Sequence, residues 1–87
     1  MSGATDRMNQ MNGTQLAKID LMIAGLKDIV RLGRLGKADT DKIRIAIDHA
    51  EKGRAYFIEG NMDKSGLNIA IARDFMQDVV RNAKGAA

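Results

Sequence analysis

From Leu16 to Val30 large apolar side chains recur every three or four positions, and no proline interrupts them or any other part of the chain. A helix turns once every ~3.6 residues, so Leu16, Ile19, Ile23, Leu26 and Val30 fall on one face, with Met22 and Ile29 widening it. A strand would need strict alternation, which these positions lack. The spacing predicts a first helix from about Thr14, a fair N-cap, to Gly33, with Lys18, Lys27, Arg31 and Arg34 on its polar side.

The segment Gly33-Arg34-Leu35-Gly36-Lys37 ends that helix, because two glycines beside cations suit a helix C-terminus and its negative dipole end. Asp39-Thr40-Asp41 then offers capping oxygens for a second helix over Asp41 to Glu59. Its inner stripe is Ile43, Ala46 or Ile47, Ala50, Gly53 and Phe57, small in the middle so that a neighbour can come close. Gly53 costs about 1 kcal/mol relative to alanine inside a helix, and close packing against another backbone would offset that. Gly60-Asn61 makes a turn into a third helix from about Asp63 to Ala83. There Ile69, Ala72, Phe75, Met76, Val79 and Ala83 are expected inward, opposite Arg73, Gln77, Arg81 and Lys84. So short a turn makes helices two and three an antiparallel hairpin. The expected fold is all-α: a three-helix domain over residues 14–84, with a long first helix followed by an antiparallel helix-turn-helix hairpin. Residues 1–13 carry no apolar period and are expected to form a flexible N-terminal tail.

Within the hairpin, Ala50-x-x-Gly53-x-x-Tyr56-Phe57-x-x-Gly60-Asn61-x-Asp63-Lys64-Ser65, followed by Ile69 and Ala72, resembles a single tetratricopeptide repeat over residues 46–76. The resemblance implies a small residue and an aromatic pair on one helix, a glycine-led turn, and small residues on the next helix that receive the first. His49 stands where that family has a large aromatic, Ser65 where it has alanine, and no terminal proline follows. Shifting the pattern back by the family's ~34-residue period meets Ile19, Met22 and Leu26, so one tetratricopeptide-like hairpin is expected, not an array. The geometry is also similar to that of small helical export chaperones of secretion and flagellar systems.

A core of roughly 70 residues supplies only about 3–5 kcal/mol. With no cysteine in the 87 residues, neither a disulfide nor a thiolate metal site can staple it. Such a domain gains stability by self-association or by docking on a partner. Met1 to Asn12 lacks the apolar run of a secretory peptide, Ser2 fails the myristoylation pattern, and Leu21-Met22-Ile23-Ala24-Gly25-Leu26 is far short of a bilayer span. The expectation is a cytoplasmic protein with no membrane partner, in which the Asn12-Gly13-Thr14 sequon stays unused.

Catalytic patterns are sparse. His49 is the one histidine, and its helical neighbours Ile45, Lys52 and Gly53 are not ligands, so a polar or half-buried histidine beside Asp48 is expected. Arg31 to Ala38 has a faint look of a phosphate loop. However, Arg31 replaces its first glycine, Ala38 replaces the hydroxyl residue, and a helix precedes it where a strand should. Asp48 with Glu51, and Asp74 with Asp78, sit among lysines and arginines as solvated surface charge, not in a pocket that separates two pKa values. Met1, Met8 and Met11 have no histidine or cysteine to make a soft-metal site with. No enzyme, cofactor, metal or small-molecule substrate is expected.

Charge points elsewhere. The net +3 all falls within residues 27–44, where Lys27, Arg31, Arg34, Lys37, Lys42 and Arg44 face Asp28, Asp39 and Asp41. Lys27, Arg31 and Arg34 would lie in a row able to meet successive phosphates, although no aromatics are interleaved for base stacking. Leu21, Leu32, Leu35, Ile45 and Ile58 lie off the main stripes and are the expected apolar interaction surface. The leading expectation is a non-enzymatic protein–protein interaction module (an adaptor, small chaperone or assembly subunit) that binds a partner or itself as a homo-oligomer. The alternative is nucleic-acid binding through the basic row.

Overall fold

The computed structural model describes residues 3–86, with side chains described over residues 13–83. Helix α1 (Gly3–Leu32), helix α2 (Lys37–Glu59) and helix α3 (Met62–Ala86) follow one another, and no strand occurs among the described residues. The fold is all-α with a long first helix, as the apolar spacing requires.

Helix α1 begins ahead of the expected Thr14 cap. No proline lies between Gly3 and Gly13, and Ala4, Arg7, Met8, Gln10 and Met11 are good helix formers, so nothing there breaks the hydrogen-bond ladder. The flexible tail expected over residues 1–13 falls mostly on side chains outside the described residues. Helix α1 stops at Gly33, which takes a left-handed φ of 66° and donates its N–H to the Val30 carbonyl at 3.1 Å.

Helix α2 also starts earlier than its carboxylates indicate. Gly36 is its N-cap, in extended conformation and without a side-chain cap. Thr40 does not cap the N-terminus: its Oγ1 donates back to the Gly36 carbonyl at 2.9 Å. Asp39 lies in the first turn, where a negative charge suits the dipole, and accepts a hydrogen bond from Asn82 Nδ2 of α3 at 3.2 Å. The α2–α3 turn is a Schellman motif. Gly60 at φ 86° donates its N–H to Phe57, and Asn61 donates to Tyr56 at 2.9 Å. Asn61 Oδ1 in turn accepts the Lys64 N–H at 3.2 Å, so one residue closes α2 and caps α3.

Helix α2 is the middle member: α1 and α3 both pack on it and barely touch each other. Its buried residues Ile43, Ala46, Ala50 and Gly53 are those of the expected stripe. They meet Ile19, Ile23 and Leu26 of α1, and Ala72 and Val79 of α3, in one core cluster. Ile29 and Ala83, expected inward, are exposed. Ile29 lies at the outer edge of the apolar face of α1, on the same side as Met22 but farther from the core, and Ala83 follows Asn82, which is already level with the first turn of α2.

The α2–α3 seam is the closest approach. A Cβ placed on Gly53 would stand 2.8 Å from Ile69 Cδ1 and 3.2 Å from the Ser65 carbonyl oxygen. Buried Ser65 donates its Oγ to the Gly53 carbonyl at 2.8 Å, so its hydroxyl is satisfied without water. At an open helix position Gly→Ala would stabilise by about 1 kcal/mol. Here the crowding outweighs that gain, and Gly53→Ala should lower the unfolding free energy by about 1 kcal/mol in chemical denaturation. A higher midpoint would show that the seam has slack.

Candidate functional site

The two flanks of α1 differ in chemistry. On one flank, α1 and α2 are clasped by Lys27 with Glu51 at 3.0 Å and by Arg54 with Asp20. Both pairs stay about half exposed, so each is worth only ~0–1 kcal/mol. They bracket a shallow hollow that includes Ile23, Ala55 and Ile58.

On the other flank lies a groove bounded by all three helices. Ile19 and Met22 of α1, Phe57 of α2, and Ile69 and Met76 of α3 make its apolar floor. The last four are half-buried and pack against the core from its edge. Phe57 reaches this place because it sits on α2 between the strip that meets α1 and the strip that meets α3. Ser65, Gly66 and Ala70 keep the α3 wall low. Lys18 and Arg73 flank the groove on opposite sides, no carboxylate lines it, and neither cation has an ion-pair partner among the described residues.

The residues expected to form an apolar interaction surface are not gathered into one patch. Leu21 is 73% exposed and Leu32 also projects to solvent, both on the face of α1 turned away from α2. Ile58 is 60% exposed in the ion-paired hollow, and Ile45 is exposed on α2. Leu35 is half-buried against the core, beside the tight turn at Gly33. Ile29 is exposed as well, and so are Met62, Leu67 and Val80, which fall outside the inward set of α3. The groove floor has the spacing of core residues, since periodicity tells which side of a helix is apolar and not which neighbour covers it.

The basic set is also divided. Lys27 pairs with Glu51, Arg31 with Asp28 at 3.2 Å, and Lys37 with Asp41 at 3.1 Å. Arg34 lies in the connection after α1, so the expected helical row Lys27, Arg31, Arg34 loses its last member from the helix. Arg34, Lys42 and Arg44 have no ion pair among the described residues.

His49 is half-buried, and its Nδ1 donates to Asn68 Oδ1 at 3.0 Å. The Asn68 amide donates to the Lys64 carbonyl at 2.9 Å, which turns its oxygen towards the imidazole. This contact ties α2 to α3, a structural role that the sequence, with only Asp48 nearby, does not reveal. Among the described residues no three or more histidine, aspartate or glutamate side chains gather as a metal site, and no helix is long and apolar enough to cross a membrane. Comparison with known protein families, with characterised proteins and with solved structures finds no match.

The attachment of α1 to α2 rests on apolar burial, not on the ion pairs. Leu26→Ala should cost about 3 kcal/mol in denaturant unfolding, whereas Lys27→Gln should cost under about 1 kcal/mol. Equal losses would reverse that order.

Proposed function

We propose that this chain is a non-enzymatic helical interaction module, an adaptor, small chaperone or assembly subunit that associates with itself through its exposed aliphatic residues. The observation that carries this is the set of large aliphatic side chains left in solvent along the outer face of α1 and on α2 and α3.

Leu21, Ile29, Leu32, Ile58, Leu67 and Val80 all stand at least two-fifths in solvent. Leu26 and Ile43 are the largest fully buried side chains, so most aliphatic burial within the described residues is partial. Leu21, Gly25, Ile29 and Leu32 follow one outer stripe of α1 at helical spacing, and that stripe is the surface best placed to meet a second copy. The chain is read as cytoplasmic, and with no cysteine its fold does not depend on the redox state of its compartment. The α2–α3 hairpin, with Gly53 packed on Ser65, is read as tetratricopeptide-like in geometry. Three of the six cations in residues 27–44 are held by carboxylates, which weakens the nucleic-acid reading.

Sedimentation of the full chain should show a species heavier than 9.5 kDa that grows with concentration. Leu21→Glu with Leu32→Glu should return it to monomer without loss of helix content. A strict monomer at every concentration would end the self-association reading.

A further inference from the structure

The groove between α1 and α3 presents an apolar floor, two flanking cations without a carboxylate partner among the described residues, and a helical glycine whose Cβ position is empty. We propose that it binds an acidic amphipathic helix of a partner protein. That helix lies between α1 and α3, sets its apolar side chains on Met22, Phe57 and Ile69, and points carboxylates at Lys18 and Arg73. The proposal rests on the interaction-module reading and names the partner for a surface separate from the outer stripe of α1.

Shape and backbone chemistry favour a helix. The groove follows α3 from Met62 to Met76, about 20 Å at ~1.5 Å per residue, which is the length of a four-turn helix. An extended peptide would need backbone partners, and the flanks of α1 and α3 have none to spare, because helical N–H and C=O groups bond internally. A docked helix satisfies its own backbone and needs only an apolar seat. With α1 and α3 side by side on α2 and barely touching, the groove is the open position of a four-helix arrangement. Met22, Met62 and Met76 along it are flexible enough to accept differing apolar anchors.

Gly66 is the second argument. A glycine inside a helix costs about 1 kcal/mol relative to alanine. At Gly53 the contact with α3 accounts for that cost. At Gly66 a Cβ would meet nothing within 4 Å, so no contact among the described residues requires glycine there. With Ala70 one turn on, it leaves a low wall against which another helix can come close.

Charge selects the occupant. The opposite flank of α1 is neutralised by its own cross-helix pairs, whereas Lys18 and Arg73 are not. A helix that covered these cations without supplying carboxylates would desolvate them at a loss, and one that brought further cations would be repelled. The exposed α1 stripe of a second copy fits poorly, because the α1 carboxylates Asp20 and Asp28 are already paired with Arg54 and Arg31, and none is left among the described residues for Lys18 and Arg73.

The test uses the full chain and two labelled synthetic helical peptides that share a leucine stripe, one flanked by glutamates and the other by lysines. In anisotropy titrations the glutamate peptide should bind at least about tenfold more tightly than the lysine peptide, with affinity falling as salt rises. The Lys18→Glu, Arg73→Glu double variant should invert that preference. Gly66→Leu should abolish binding of the glutamate peptide while its helical signal and unfolding midpoint stay at or above those of the parent. Equal affinity for both peptides would overturn the proposal, as would full binding by Gly66→Leu. So would a Gly66→Leu variant that loses self-association, since the groove would then hold a second copy. None of these outcomes bears on the Leu21, Leu32 variant, so the failure of one reading is distinct from the failure of the other.

Discussion

The close contact of α2 with α3 at Gly53 sets the arrangement of the rest. Where Ala46, Ala50 and Gly53 face Ser65 and Ala72, no side chain is large enough to hold the helices apart, and the Ser65 hydroxyl reaches the Gly53 carbonyl directly. Two helices so close leave no wedge between them for a third. Helix α1 therefore packs on the neighbouring strip of α2 through Ile19, Ile23 and Leu26, and does not bridge to α3. The open groove follows from that placement: a seam built from small residues draws two helices together and leaves the flank of the third uncovered.

The two flanks of α1 then acquire different physics from similar ingredients. Where Asp20 and Lys27 lie opposite Arg54 and Glu51, charges of both signs satisfy each other and the surface is closed to a charged visitor. Where Lys18 and Arg73 flank the groove, like charges stand over an apolar floor with nothing among the described residues to answer them. Ion pairs that are half exposed contribute little to holding α1 in place. Their effect is on selectivity, since they remove one flank from competition and leave the other with a field of one sign.

The helices, the Gly60-Asn61 turn and most of the core are legible in the residues. Ile43, Ala50, Ile23, Leu26 and Val79 repeat at the helical period and are buried as that period requires. Gly53 is legible as a packing glycine too, because a residue of poor helix propensity inside an apolar stripe marks a place where a larger side chain would not fit. The start of α2 is not legible, since Asp39, Thr40 and Asp41 look like caps but serve different partners, Thr40 bonding back to Gly36 and Asp39 receiving Asn82. Leu35 escapes the pattern because a short connection carries no period from which to infer the direction of a side chain. The groove is invisible for a related reason: Met22, Phe57 and Met76 are apolar and on the inner side of their helices, which is all that spacing conveys.

The sequence by itself determined that this chain is helical, where its turns fall and which face of each helix avoids water, because these properties are set within a few turns by backbone sterics and by the 3.6-residue repeat. Only the tertiary structure decided which helix covers which face, which cations find carboxylates, and which inward side chains remain at an edge. Those outcomes depend on contacts between residues far apart in the chain, such as Gly53 with Ile69 or Lys27 with Glu51, whose partners no local pattern specifies.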